Sequence, residues 1–407
     1  MRYLIAAAVL GLAGTSFAET INVPADYSTI QAAIDAASNG DEILVAPGTY
    51  SQFPFPVINP LGKQVRIRAS GTPQETIINA NWATGILCTN GEGPLTSIEG
   101  FMVQRSTGGL LCEDSSPNIE DCVFENNGLS IHCTGGANPT FSGCTITNAT
   151  DDINSVIYAI KIEHTGHPVF TNCAVTDNHT RLSPVSIYAS ATFTNCAFSN
   201  NSCTDGYGGG ACRTNISSNY AVMFTNCTFS ENAAKGVDYG GGAVHCDVND
   251  NVTFSGCSFT GNVSSEDGGA IYKMAYDAAF PVINNCVISR NVAGDDGGGV
   301  YCYGEGLPPI SGTSICGNVP NQISGTYDDA GGNSVDDTCL DGACCTNGHC
   351  LIADQDDCLA YFGQWLGEGT TCDDSPCPTD CLGDANGDGE VNVNDILSVI
   401  SVWGPCP

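Results

Sequence analysis

Apolar positions along this chain fall into a phrase that is written seven times. IEDCVFENN at 119, FSGCTITNA at 141, FTNCAVTDN at 170, FTNCAFSNN at 193, FTNCTFSEN at 224, FSGCSFTGN at 254 and INNCVISRN at 283 share one plan. Each has an apolar residue three before a cysteine and another two after it. The cysteines (122, 144, 173, 196, 227, 257 and 286) lie 22 to 31 residues apart, a period that belongs to solenoids. A spacing of two puts the cysteine and its follower on one face of a strand, while a spacing of three implies a bend between strands. Asparagine follows five after the cysteine in six units, at Asn127, Asn178, Asn201, Asn232, Asn262 and Asn291. That position reads as a turn, because asparagine tolerates the left-handed conformation.

A second strand lies between successive cysteines: GLLC (109–112), SIHC (130–133), AIKI (159–162), SIYA (186–189), AVHC (243–246), AIYK (270–273) and GVYC (299–302). Aligned, these give inward pairs such as Leu110/Cys112, Ile160/Ile162, Ile187/Ala189 and Val244/Cys246. Lys273 interrupts the column and is expected near a strand end. IEGFMVQ (98–104) reads as an earlier coil with Phe101 in the cysteine's place. Short strands, glycine turns and no helical period predict an all-β solenoid of about ten coils over residues 19–335. No single coil can bury its apolar side, but stacked coils share one core. At the front, STIQAAIDAASNG (28–40) predicts a capping helix over 28–39, with Ser28 and Gln31 as its capping box and Gly40 as its stop.

These phrases carry a resemblance. FxxN (Phe198–Asn201, Phe229–Asn232, Phe259–Asn262) alternating with GGA[IV] (Gly241–Val244, Gly268–Ile271) resembles the repeats of bacterial polymorphic outer-membrane proteins. More broadly, residues 21 to 335 are similar to the pectate-lyase-like right-handed parallel β-helices. VPADYSTIQAAIDAA with APGTY is similar to the N-terminus of pectin methylesterases and other exported β-helix proteins. The resemblance implies the fold; its members include lyases, esterases, glycosidases and inert adhesins, so it implies no single activity.

Composition narrows the setting. MRYLIAAAVLGLAGTSFA has one basic residue, an apolar run too short to span a bilayer and a small-residue end. It reads as a signal peptide over 1–18, and no later segment is apolar enough to span a membrane. Secretion, to the extracellular space or the cell surface, is expected. With 44 acidic and 11 basic residues the net charge is −33, which excludes nucleic acid as a partner because phosphate contacts need a basic surface. There are 24 cysteines, and those of the repeat behave like small buried apolar residues. They are expected to remain thiols, because parallel side chains on neighbouring coils hold the Cβ atoms too far apart. Cys344, Cys345, Cys350, Cys358, Cys372 and Cys377 crowd into a short module over 339–380, which reads as a three-disulfide knot of open connectivity.

Candidate chemistry lies in three places. The segment 151–181 holds Asp151, Asp152, Lys161, Glu163, His164, His167, Asp177, His179 and Arg181, where an acid, a base and a cation could meet. Asp151, Asp152, Lys161, His164, His167 and Arg181 are the catalytic candidates, against the plainer reading of a solvated outer face. Acidic residues also precede the glycine runs: Asp205, Asp238, Glu266-Asp267 and Asp295-Asp296. Stacked carboxylates there either form polar turns or hold calcium. The third place is DANGDGEVNVNDI at 384–396. Asp384, Asn386, Asp388, the Glu390 carbonyl, Asn392 and Asp395 occupy positions 1, 3, 5, 7, 9 and 12 of a calcium loop, with Gly389 at the sharp turn. With its short following helix, the segment 381–407 resembles a dockerin repeat. Dockerins have two such repeats and this chain has one, so the resemblance implies a calcium-dependent attachment tag with an anchor partner rather than cohesin binding.

The expected function is an exported, non-catalytic β-helix presenting a long face to polysaccharide or a cell-surface component. The alternative is a calcium-dependent polysaccharide lyase or glycoside hydrolase. A basic residue beside two carboxylates in a groove would favour the alternative, and a flat Asn/Thr face the expected reading.

Overall fold

The computed structural model describes residues 18–149, 158–205, 208–217, 219–235, 240–247, 251–274, 281–304, 307–339 and parts of 342–372. The chain divides into two compact units, residues 1–337 and 338–407. The first is a parallel β-solenoid. Its strands form sheets of 13, 12, 10 and 5 members, here A, B, C and D, and within every sheet each coil pairs with the next in parallel. One coil runs from C through a loop to A, round a tight corner to B, and on through D back to C.

The corners explain the written phrase. The residue just before each cysteine has positive φ, as at Asn172, Asn195, Asn226 and Asn285, or is glycine, as at Gly143 and Gly256. This one left-handed residue turns the chain from A to B, so the apolar residue three before the cysteine and the one two after it both point inward. A second left-handed residue follows B, at Asn126, Asn148, Asp177, Asn200, Glu231 and Arg290. The asparagine five after the cysteine therefore does not supply the turn; its predecessor does.

That asparagine is buried and does something else. From Asn178 through Asn201, Asn232, Asn262 and Asn291 to Asn318, each side-chain amide donates to the carboxamide oxygen of the next, at 2.8–3.0 Å. Each Nδ2 also donates to a backbone carbonyl of the preceding coil, as Asn232 does to Phe198 O at 2.9 Å. Gln322 ends the ladder by accepting from Asn318 at 2.8 Å. The last coil is thus a full member of the series, with Thr313 standing in the cysteine position.

Apolar ladders fill the interior. Phe141, Phe170, Phe193, Phe224 and Phe254 stack with centroids 4.4–5.2 Å apart and near-parallel planes. Phe198, Phe229 and Phe259 stack beside them at 4.7 Å, and the two columns meet edge to face, for instance Phe224 on Phe229 at 5.4 Å. Both geometries suit the aromatic quadrupole. Phe101 is buried in the cysteine's place, as expected.

Among the described residues, fourteen cysteines, all buried, are thiols outside any disulfide. The ladder thiols donate to carbonyls of the coil before, Cys227 to Phe193 O at 3.5 Å and Cys257 to Phe224 O at 3.4 Å. Burial pushes the Cys112 and Cys122 thiols up to about 12, while hydrogen bonds from neighbouring ladder thiols lower Cys173 and Cys257. Attack needs reagent access as well as thiolate, and because all these thiols are buried the native protein is expected to resist iodoacetamide at neutral pH. Denaturation without reductant should then release about fourteen labelled thiols by mass; full labelling of the native state, or none after denaturation, contradicts this.

Two local expectations are corrected. Helix α1 spans Ile30–Ala36, and Thr29 rather than Ser28 caps it by accepting from Ala32 N. Gln31 reaches away to Asn59, bonding both its N–H and its carbonyl. Ile30, Ala33 and Ile34 are the buried face. In sheet C, the strand opposite Ile160–Ile162 is Val185–Ile187, two residues earlier than the SIYA alignment, and Cys212–Thr214 forms the next coil. Inward pairs there are Val185/Ile187 and Cys212/Thr214. Lys273 does lie near the end of its strand, Ile271–Met274; it pairs between Cys246 and Cys302 and is fully buried, its ammonium donating to the Asp247 carbonyl.

The second unit contains a three-stranded antiparallel sheet of Gly342–Thr346, His349–Ala353 and Gln364–Glu368. Cys344 bonds Cys358 and Cys350 bonds Cys372; Cys345 is also in a disulfide. Cys377 lies outside the described residues, as do Asp384, Asn386, Asp388, Glu390, Asn392 and Asp395 of the calcium loop. Among the described residues no helix is long and apolar enough to cross a membrane.

Candidate functional site

The described members of the 151–181 segment do not converge. Asp151 and Asp152 lie outside the described residues. His164 sits in a left-handed turn after sheet C and bonds Thr134 at 2.8 Å, while His167 enters sheet A and bonds Thr192 at 2.8 Å. His179 is on sheet D against Ser202, and Arg181 reaches Asp205 at 2.7 Å. A run of 30 or so residues wraps around the whole coil, so neighbours in sequence face different directions.

Lys161 is the exception, because sheet C stacks it with residues from other coils. In register along one outward column stand His132, Lys161, Ser186, Arg213, His245 and Tyr272, with Tyr301 next. The position between the two inward residues of each C strand faces outward by the period of two. The same alternation that buries Ile131/Cys133 and Val244/Cys246 turns this column away from the core, where His132, Lys161 and Arg213 stay partly exposed while Ser186, His245 and Tyr272 are covered.

Two clusters form on this column, each a carboxylate shared between a cation and an imidazole. Glu163 accepts from Lys161 at 2.7 Å and contacts His132 Nε2 at 2.7 Å. Three coils on, Asp247 accepts from Arg213 Nε at 2.8 Å and from its terminal nitrogen at 2.5 Å. His245, fully buried, turns Nε2 to Asp247 Oδ1 at 3.2 Å and Nδ1 to Gly240 O at 2.9 Å. His245 stacks on Tyr272 at 4.8 Å, and Tyr272 on Tyr301 at 5.3 Å. The Tyr158 ring lies 5.9 Å from the Lys161 ammonium, and its hydroxyl meets that of Tyr188 at 3.4 Å.

Burial works to raise both carboxyls, and their partners overcome it. Lys161 and His132 hold Glu163 below the usual carboxylate value, and His245 with Arg213 does the same for Asp247. Burial and the neighbouring Tyr158 hydroxyl push the Tyr188 phenol up. Both carboxylates are thus fixed as anions at neutral pH.

The acidic turns are relieved from within the protein. Asp205 pairs with Arg181, Asp267 accepts from Asp296 N at 3.1 Å, and Asn321 donates to Asp296 at 3.3 Å. Burial, then the charges of Asp295 and Asp296, raise the Asp267 carboxyl. Asp238 lies outside the described residues. Among the described residues no three His, Cys, Asp or Glu groups are placed to hold a metal ion.

A family model for the right-handed β-helix region matches residues 84–252 and again 158–340. The chain belongs to the right-handed β-helix family. Among solved structures similar to this β-helix is the catalytic unit of an α-1,3-glucanase from Streptomyces thermodiastaticus strain HF3-3. It aligns with a TM-score of 0.50 at 16% identity over 76% of this chain and 66% of that one. PfbA, a surface adhesin of Streptococcus pneumoniae, aligns with a TM-score of 0.39 at 12% identity, over 83% and 99% of the two chains. Pectate lyase Pel9A gives 0.39 at 15%, over 66% and 80%. At such identities the likeness to this β-helix is one of fold. No curated protein matches it.

Proposed function

We propose that this β-helix is an extracellular protein that binds an anionic polysaccharide or surface glycan along sheet C without cleaving it. The observation that supports this reading is the column itself. In a chain with 11 lysines and arginines and 44 acidic residues, the outward register position of one sheet brings the partly exposed His132, Lys161 and Arg213 together within four coils, with the buried His245 next in the column. Tyr158 and Tyr188 add flat apolar surface with polar tips, which suits sugar rings. Arginine and lysine on a rigid sheet suit carboxylate or sulfate groups.

A second reading, cleavage, draws on Glu163 and Asp247 beside their cations. It is the weaker of the two for a chemical reason. A general acid or base works best when its pKa lies near the operating pH, and both carboxyls are held low by partners. Incubating the protein with soluble uronic-acid, sulfated and neutral polysaccharides distinguishes the readings. Retention on the anionic polymers with no new reducing or unsaturated ends is expected; new ends would overturn the binding reading, and equal indifference to all polymers would overturn both.

The 384–395 segment is proposed to bind one calcium ion through the residues at loop positions 1, 3, 5, 7, 9 and 12. Calorimetric titration of the full chain should give one site that Asp384→Ala with Asp388→Ala removes. An unchanged titration in that variant would assign the calcium elsewhere.

A further inference from the structure

Two other sheets carry a surface of the opposite kind. In sheet A, one outward column reads Arg68, Glu99, Glu120 and then Ser142, Thr171, Thr194, Thr225, Ser255. In sheet B, the corresponding column passes from Glu125 to Thr147, Thr176, Ser199, Ser230, Thr260 and Ser289. From Thr140–Ser142 to Pro309–Ser311 in A, and from Thr145–Thr147 to Ser314–Cys316 in B, seven successive coils contain no charged residue in a strand. The fold does not impose this. Arg66, Arg68 and Glu99 occupy the same outward positions a few coils earlier, where they pair with one another and with Glu42. At the far end of the B column the charge returns at Asp336.

The neutral stretch is also periodic. Hydroxyls repeat once per coil, about 4.8 Å apart. Beside the A column runs another of mixed hydroxyl and methyl character, including Thr192, Met223 and Thr253, of which Met223 is well exposed. An alternation of O–H and C–H at fixed spacing is what a neutral sugar ring presents in return. Bringing a charged side chain against an uncharged surface costs desolvation, and hydroxyls cost far less. Each hydroxyl contributes only about 1 kcal/mol net, so useful affinity needs many contacts made together, on a partner that repeats as the coils do.

From this we infer a second binding face, on sheets A and B between residues 140 and 311, that takes an ordered, uncharged polysaccharide surface such as packed glucan or chitin chains. It is independent of the sheet C site: its partner is neutral and insoluble, where that of sheet C is anionic.

The test is retention of the full chain on microcrystalline cellulose and on chitin in 0.5 M salt, which brings the Debye length below its value of about 8 Å at physiological salt and screens the acidic surface. Thr194→Glu with Thr225→Glu places charges where Glu99 and Glu120 already stand in the same column, so the fold should tolerate them; circular dichroism and the melting temperature check this. Binding is expected to fall at least about tenfold, the equivalent of ~1.4 kcal/mol. Thr194→Ala with Thr225→Ala should weaken it by a smaller factor, giving the same order of effects without introduced charge. Equal retention of the glutamate variant and wild type overturns the inference, as does no retention of wild type on either solid. Arrest of ice-crystal growth without retention on polysaccharide also overturns it and gives the face to ice instead.

Discussion

Asn232→Ala is expected to lower the unfolding free energy by about 3–5 kcal/mol, although it removes only a small polar group. Four hydrogen bonds pass through that carboxamide. Its Nδ2 donates to Phe198 O and to Asn262 Oδ1, both at 2.9 Å, and its Oδ1 accepts from the Asn201 backbone at 3.1 Å and side chain at 3.0 Å. Alanine leaves Phe198 O and Asn201 N buried without these partners, each costing about 1–3 kcal/mol. Asn232→Asp should be no rescue, because a carboxylate would face Asn262 Oδ1 and Phe198 O, both acceptors. The outward Ser230→Ala, two residues away, should stay within about 0.5 kcal/mol of wild type. Urea unfolding followed by circular dichroism measures all three. A loss below about 1 kcal/mol for Asn232→Ala would show that the ladder is not carrying the corner. Coils contact only their neighbours, so a broken rung in the middle should also broaden the transition.

The same asparagine shows where reading the sequence stops. Its recurrence five after the cysteine was plain, and so was a turn near it. What the pattern concealed was which of two adjacent residues turned and which was buried, as Asn200 and Asn201 are both asparagine and either chemistry suits the letter. Phe, Cys and Ile ladders were legible because apolar residues at spacings of three and two admit one inside. The alignment of SIYA slipped by two for a related reason. A shift of two preserves the alternation of faces, so Val185/Ile187 and Ile187/Ala189 are equally good inward pairs until the neighbouring strand is seen.

That slip, with the omission of Cys212–Thr214, hid the sheet C column. Arg213 stands in no recognised motif and becomes interesting only when the register sets it between Ser186 and His245. The run 151–181 reads as a site because its ionisable groups are close in sequence, yet a solenoid separates such residues around the coil and unites those one period apart. Lys273 followed the same logic. A lysine in an apolar column reads as lying near a strand end, and nothing local reveals that the Asp247 carbonyl of the preceding coil accepts a hydrogen bond from its ammonium.

Arg213→Ala should lower both stability and binding. Asp247 is nearly buried, and removing the guanidinium deletes contacts at 2.5 and 2.8 Å. Breaking one partner of such a pair costs about 3–5 kcal/mol, because the other charge stays buried; His245, still bonded to Asp247, should hold the loss toward the lower end. The pH dependence follows from Asp247. Its folded pKa is depressed by partners, so its contribution is present above the ordinary value of 3.8 and is lost as pH falls through the lower folded value. In Arg213→Ala that acid-side loss should be smaller, since less depression remains to be lost. On the binding side, retention by an anionic polysaccharide should fall at least about tenfold, while Arg213→Lys, which keeps the charge but not the fork, should keep part of it. Binding measured below the unfolding transition separates the two effects. Wild-type retention in a folded Arg213→Ala protein would remove the sheet C column from recognition and leave Asp247 and its partners a structural role alone.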